Sequence, residues 1–229
     1  PSDPPADPPA DPPADPPADP PADPPAEPPA DFPPGLPTIC TIQRFSDLPM
    51  AHPACAAVSV LVGAGIIDGY EDGTFRPDRP VTRAEFAKMF ILTKGLAPQP
   101  GAALPFGDTD GHWAATMGFL AAAVADGALD GFPDGTFRPD ELVTRAQGVK
   151  IVTANLIDVP RPPEGSMPAD VTTDLWYEPY VRAGLDFRLM GEQAHYPVFA
   201  ASTFAGDTPM TRAEAAKLLA NLFGLLGQE

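Results

Sequence analysis

Residues 68–85 read DGYEDGTFRPDRPVTRAE, and residues 130–147 repeat this stretch as DGFPDGTFRPDELVTRAQ. The closing motif, Thr-Arg-Ala followed by Glu or Gln, occurs a third time at residues 211–214. Its arginines are spaced 62 and 67 residues apart. A motif that recurs at such a period predicts one structural unit repeated three times. Because the same arginine is presented three times, the pattern favours a binding scaffold over a single catalytic pocket.

Counting from each arginine aligns the three units. Every unit has phenylalanine eight residues before the arginine and lysine five residues after it. These residues are Phe75, Phe137 and Phe204, and Lys88, Lys150 and Lys217. Asp-Gly pairs in the first two copies are typical of tight turns. Each unit is therefore predicted to be a helix, a turn-rich loop and a second helix, which gives a mainly α fold.

The first helices are expected at residues 53–64, 112–125 and 176–186, with Pro53 at a first helical position. The third unit departs from the other two. Ala201 and Ser202 replace its Asp-Gly turn, and residues 193–200 are interpreted as extra loop.

Residues 1–37 repeat Asp-Pro-Pro-Ala and carry eight acidic residues but no Lys or Arg. Proline disfavours helix and sheet, so a polyproline II arm or linker is predicted here. A four-residue repeat on a helix with three residues per turn spreads the charge around the axis, which favours a solvated spacer. The alternative is a docking ligand for another surface protein chain. The three units are expected at residues 38–97, 98–158 and 159–229.

Composition excludes several functions. The net charge of −17 makes nucleic acid a poor partner, since phosphate binding needs a basic stripe. No apolar run reaches the roughly 18–20 residues that membrane insertion requires. The three histidines occupy no equivalent positions and no catalytic motif is present, so neither an enzyme nor a cofactor is predicted. The loops lack the spacing of calcium ligands, so no metal site is predicted. Because the chain begins at Pro1, we expect a processed form or a piece of a longer product.

Cys40 and Cys55 are the two cysteines of the chain and lie fifteen positions apart. A disulfide closing this loop would contribute about 3 kcal/mol. The alternative is two buried free thiols, and the features that point outside the cell favour the disulfide.

The repeated motif has a structural explanation for two of its residues. Thr at the N-cap and Glu or Gln three residues later form a capping box. The pairs are Thr82 with Glu85, Thr144 with Gln147, and Thr211 with Glu214. Capping does not explain the arginine, because a helix N-terminus already carries positive partial charge. Two alternatives remain for it: binding of a carboxylate or phosphate ligand, or a salt bridge to an acid of a neighbouring unit.

Aromatic residues also allow two interpretations. Trp113 and Trp176 stand at the predicted starts of first helices, and Tyr70 and Phe132 lie in the loops. They are either core residues or platforms that hold sugar rings beside polar loops.

The combined pattern resembles the S-layer homology family. An aromatic-x-Asp start, a Trp at the first helix, the Asp-Gly-Thr-Phe loop and Thr-Arg-Ala-Glu follow one another over residues 39–229. The starts are Phe45-Ser46-Asp47 in unit one, Phe106-Gly107-Asp108 in unit two and Asp174-Leu175-Trp176 in unit three. The resemblance implies three units about a pseudo-threefold axis, with the second helices forming a central bundle and grooves between units.

The resemblance further implies an extracellular module of the cell wall or S-layer. Such modules attach non-covalently to an acidic, usually pyruvylated, cell-wall polysaccharide. Arg83, Arg145 and Arg212 match the group that holds the acidic sugar, and Trp113 and Trp176 match its aromatic neighbours. Pro53 replaces tryptophan in unit one and the loop of unit three has diverged, so we expect at most two working grooves, with Arg145 the best preserved site. The alternatives are a structural subunit of a lattice or filament, and the anchoring tail of a surface hydrolase.

Overall fold

The computed structural model describes residues 36–154, 156, 166–191, 194–199 and 203–227. The predicted polyproline arm lies outside these residues except for Leu36 and Pro37, as do Ala201 and Ser202. Within these ranges, seven helices form: α1 (Cys55–Gly63), α2 (Arg83–Thr93), α3 (Trp113–Thr116), α4 (Phe119–Ala125), α5 (Arg145–Thr153), α6 (Glu178–Asp186) and α7 (Arg212–Leu226). The mainly α class is confirmed. Among the described residues, no helix has the length and apolar character needed to cross a bilayer.

The three first helices begin or continue differently from the prediction. Helix α1 begins at Cys55 with Ala54 as its N-cap, so the placement of Pro53 inside the helix was wrong. Helix α6 begins at Glu178, two residues after the expected Trp176, because Pro179 suits the first turn of a helix.

The helix expected at residues 112–125 is broken into α3 and α4 by Gly118, whose φ is 82°. The backbone of Gly118 lies directly against residues 99–100, and its carbonyl accepts a hydrogen bond from Gln99 N at 3.0 Å. A Cβ at this position would lie 2.1 Å from the carbonyl carbon of Gln99. A glycine is therefore required for both the left-handed conformation and the close approach.

Helices pair between units. The first helix of each unit packs on the second helix of the preceding unit: α4 on α2, α6 on α5, and α1 on α7. The second helices α2 and α5 also both pack against α7. Gly148 in α5 leaves room for the side chains of Met210 and Phe86, which belong to the other two units. No unit therefore buries its own apolar face alone, and the three units depend on one another for a core.

A closed ring of three backbone hydrogen bonds links the units just before their second helices. Val81 N donates to Met210 O at 3.0 Å, Met210 N to Val143 O at 2.8 Å, and Val143 N to Val81 O at 3.0 Å. All three side chains are fully buried. The three units are thus joined in cyclic order by backbone hydrogen bonds.

The N-terminal segment is fastened to this core. Cys40 and Cys55 form a disulfide that ties it to α1. The hydroxyl of Tyr196 donates to the carbonyl of Pro37 at 2.6 Å, and Leu36 packs against Gly224 of α7. The described end of the proline-rich arm is thus held where unit one meets unit three.

Candidate functional site at the junctions between units

All three second helices begin with the capping box. The Thr82 hydroxyl accepts from Glu85 N at 3.2 Å, and the Glu85 carboxylate accepts from Thr82 N at 2.9 Å. The same reciprocal pair joins Thr144 with Gln147 and Thr211 with Glu214. The first turn of each helix is therefore fixed, and the arginine that follows the threonine has a defined direction.

Each of these arginines reaches into the loop of the next unit. We call the resulting contacts junction 1–2 (Arg83 with unit two), junction 2–3 (Arg145 with unit three) and junction 3–1 (Arg212 with unit one). The sequence could not place these partners, which lie 47 to 144 residues away along the chain.

At junctions 1–2 and 3–1 the arginines bind loop carbonyls. Arg83 donates from Nε to Phe137 O at 3.0 Å and from Nη2 to Asp130 O at 3.2 Å. Arg212 donates in the same way to Phe75 O at 2.9 Å and to Asp68 O at 3.0 Å. These arginines are only 6% and 8% exposed, and burial lowers the pKa of both guanidinium groups from the ordinary value. Neither of the two alternatives predicted backbone carbonyls as partners.

A second guanidinium completes each of these two junctions. The Tyr70 ring lies under Arg212, whose Cζ is 5.1 Å from the ring centroid, and under Arg76 at 3.9 Å. Phe132 makes the equivalent contacts with Arg83 at 4.9 Å and Arg138 at 4.0 Å. Cations over an aromatic face are attracted to its negative quadrupole. Tyr70 and Phe132 therefore act as spacers between a buried and a partly exposed arginine.

Of the lysines five residues after each arginine, Lys150 and Lys217 contact the loops of their own units, and Lys88 lies 5.8 Å from the ring centroid of Phe119 in unit two. Burial lowers the pKa of the half-buried Lys88. The negative charge of Asp68 partly offsets this shift, and the positive charge of Arg212 adds to it. Lys150 Nζ lies 3.8 Å from an Asp130 carboxylate oxygen. Cations from two different units therefore converge on one loop at junction 3–1 and again at junction 1–2.

An aspartate that precedes each first helix holds the loop, a role that sequence reasoning missed. The Asp47 carboxylate accepts from Phe75 N and Arg76 N, both at 2.7 Å. Asp108 does the same for Phe137 N and Arg138 N, also at 2.7 Å. The signal was visible in the sequence, since Asp47 and Asp108 belong to the aromatic-x-Asp starts of units one and two.

In unit three this aspartate is Asp170, which accepts from Phe204 N at 2.8 Å and Ala205 N at 2.7 Å. The assignment of Asp174 to the start of this unit was therefore wrong. Desolvation opposes ionisation of Asp108 and Asp170, but their backbone hydrogen bonds outweigh it and lower the pKa of both carboxyl groups.

Junction 2–3 differs from the other two. Arg145 donates from Nη1 to Phe204 O at 3.0 Å and from Nη2 to Glu214 Oε1 at 2.6 Å, while its buried Nε has no hydrogen-bond partner. Its guanidinium lies 5.3 Å from the centroid of Phe199. Phe199 stands thirteen residues before Arg212, as Tyr70 does before Arg83, so unit three retains the loop aromatic. The exposed loop arginine is replaced by Ala205.

The two tryptophans occupy different environments. Trp113 is partly buried and packs edge-on against Phe119 at 6.4 Å. Trp176 is 55% exposed and packs edge-on against Tyr177 at 5.3 Å. Tyr177 in turn contacts Phe204, whose carbonyl Arg145 binds, with ring centroids 5.6 Å apart. Of the two, Trp176 therefore presents the larger free face.

Two segments of the chain, residues 44–87 and 105–147, match the S-layer homology domain family. They cover units one and two from the aromatic-x-Asp start to the capping box. Unit three, whose loop has diverged, lies outside the matched segments.

Several relatives are cell-surface proteins. The chain is 33% identical over 142 residues to "Cell surface glycoprotein 1" of Acetivibrio thermocellus, which covers 58% of the chain and 6% of that protein. It is 36% identical over 116 residues to the "Cellulosome-anchoring protein" of the same organism, covering 49% of the chain and 26% of that protein. It is 34% identical over 105 residues to "Surface layer protein" of Brevibacillus choshinensis, covering 43% of the chain and 9% of that protein. The chain thus spans about a quarter or less of each relative's length. These similarities support tandem S-layer homology units in an extracellular module associated with the cell wall.

Proposed function

We propose that this module anchors a surface protein or assembly to the cell envelope by binding an acidic, pyruvylated wall polysaccharide at the junctions between units. The observation that carries the proposal is the convergence of cations from two units on one loop. At junction 3–1, Arg212 donates to Asp68 O, and the charge of Asp68 acts on Lys88. At junction 1–2, Arg83 donates to Asp130 O, and Lys150 lies 3.8 Å from the Asp130 carboxylate. A carboxylate ligand is expected to bind where cations are clustered, because the rest of a chain with a net charge of −17 repels it.

The arginines form the floor of each proposed site. The two carbonyl bonds of Arg83 and of Arg212 use two of the five N–H donors of each guanidinium. A ketal carboxylate approaching from solvent accepts from a remaining donor and from the neighbouring lysine. Because the loop carbonyls orient the guanidinium beforehand, the ligand does not bear the cost of ordering that side chain.

Aromatic groups supply the apolar contact that a sugar ring requires. Trp176 offers an exposed ring beside unit three, whereas Trp113 contributes by supporting the core beneath unit two. We propose that the residues of the arm act as a spacer between the wall and the attached component, or contact other surface chains. No step of this function is catalytic: the side chains at the junctions bind and orient a ligand.

The test is binding of the full chain to purified wall polysaccharide before and after mild acid has removed its ketal groups. We expect binding to the intact polymer and its loss after acid treatment, because the carboxylate is the group recognised. Equal binding to both polymers would contradict the proposal.

Lys88→Gln and Lys150→Gln probe the junctions in the same assay. Each removes one charge-assisted contact and should weaken binding about tenfold. The matched control is Lys94→Gln, which removes the same charge from the end of α2, where Lys94 pairs with Asp126 instead. A comparable loss of affinity in the control would show a general charge effect and not a site.

A further inference from the structure

The third residue of each second helix belongs to the unit that receives the junction arginine. These residues are Glu85 at junction 3–1, Gln147 at junction 1–2 and Glu214 at junction 2–3. All three perform the same capping role, but they differ in charge and in their other partners. This difference decides whether a carboxylate of the protein itself is already bound to the junction arginine.

At junction 2–3 the arginine is occupied. Glu214 accepts from Thr211 N through Oε2 at 3.0 Å, and from Arg145 Nη2 through Oε1 at 2.6 Å. The two side chains are only 14% and 22% exposed. The Glu214 carboxylate thus makes with Arg145 the charge-assisted contact that an acidic sugar would make.

At junction 3–1 the corresponding glutamate, Glu85, is bound by an arginine of its own unit. Arg79 donates from Nη1 to both carboxylate oxygens of Glu85, at 2.8 and 2.9 Å. Arg212 keeps its bonds to the loop carbonyls of Phe75 and Asp68. The charge of Glu85 is therefore neutralised within its own unit.

The residue four positions before the junction arginine explains the difference. It is Arg79 in unit one but Thr208 in unit three, and a threonine cannot neutralise Glu214. Unit two has Glu141 at this position, whose carboxylate lies 3.4 Å from Arg138 Nη1. Its capping residue is the uncharged Gln147, so the capping position of unit two offers Arg83 no carboxylate. Two different substitutions thus give the same result at junctions 3–1 and 1–2.

We propose that Glu214 is a built-in carboxylate that closes junction 2–3 to acidic glycan, whereas Arg79 and Gln147 keep junctions 3–1 and 1–2 open. This inference rests on the proposed function and adds to it the number and identity of the working sites. A ligand at Arg145 must displace Glu214, and its apparent affinity falls by the fraction of time for which the arginine is free.

The test is calorimetric titration of the full chain and its variants with a monosaccharide that carries a pyruvate ketal. The unaltered chain should bind two equivalents. Glu214→Gln preserves the capping oxygen, as Gln147 shows, and should reveal a third site by raising its affinity on the order of tenfold. Glu85→Gln is the matched control, since it makes the same change in α2 and should leave two sites.

Two further variants work in the opposite direction and do not depend on Glu214. Gln147→Glu places a carboxylate beside Arg83, and Arg79→Thr releases Glu85 toward Arg212, so each should reduce the two sites to one. Circular dichroism checks that every variant is folded.

The outcomes separate the two proposals. Two sites in the unaltered chain that change as described support the inference. If the unaltered chain binds two equivalents and Glu214→Gln, Gln147→Glu and Arg79→Thr each bind two as well, this inference is overturned and the proposed function stands. Absence of binding by the unaltered chain and by every variant overturns both.

Discussion

Replacing Arg212 by alanine should open the ring of units. Arg212 links the last unit to the first, and its two hydrogen bonds reach carbonyls 137 and 144 residues away. A hydrogen bond from a charged donor contributes about 1.5–3 kcal/mol. Two such bonds, less the relief of removing a desolvated cation, give an expected loss of about 3–4 kcal/mol in the free energy of unfolding.

The assay is urea denaturation followed by circular dichroism, with the midpoint and slope fitted for each variant. The exposed Arg44 provides the control, and Arg44→Ala should change the free energy of unfolding by less than about 0.5 kcal/mol. A loss below about 1 kcal/mol for Arg212→Ala would refute the role assigned to these carbonyl bonds.

Two further predictions concern acid stability and the disulfide. Hydrogen bonds from Thr136 and Arg138 lower the pKa of Asp134 to about 2 from an ordinary value of 3.8, so its stabilising contribution is complete above pH 4 and is lost as pH falls toward about 2. The melting temperature of Asp134→Asn should therefore lie below that of the unaltered chain at pH 5 and converge with it near pH 2; a constant difference would contradict the assignment. Replacing Cys40 and Cys55 together by serine should lower the free energy of unfolding by about 3 kcal/mol, since the closed loop spans fifteen residues. An unchanged urea midpoint would show that the docked segment needs no covalent tie.

The sequence was informative wherever a contact is local. The capping boxes followed from residues three positions apart, and the starts of α2, α5 and α7 followed from the boxes. The register of unit three could also have been found, because Phe199 keeps the thirteen-residue distance to Arg212.

The remaining features depend on contacts distant in sequence. The helix breaks at Gly118 because residues 99–100 lie against it. The propensities of the residues around Gly118 do not predict this contact. The partners of Arg83 and Arg212 are backbone carbonyls, which every residue possesses, so residue type could not identify them. The pairing of Arg145 with Glu214 likewise depends on Thr208, whose side chain has no positive charge with which to neutralise Glu214.

The central claim is that acidic sugars bind where two units meet, at junctions 1–2 and 3–1. A crystal structure of the chain with a pyruvylated wall disaccharide tests it most directly. The account predicts sugar density beside Arg83 with Lys150 and beside Arg212 with Lys88, and none displacing Glu214 from Arg145. Sugar bound only at junction 2–3, or on a surface away from all three junctions, would contradict it.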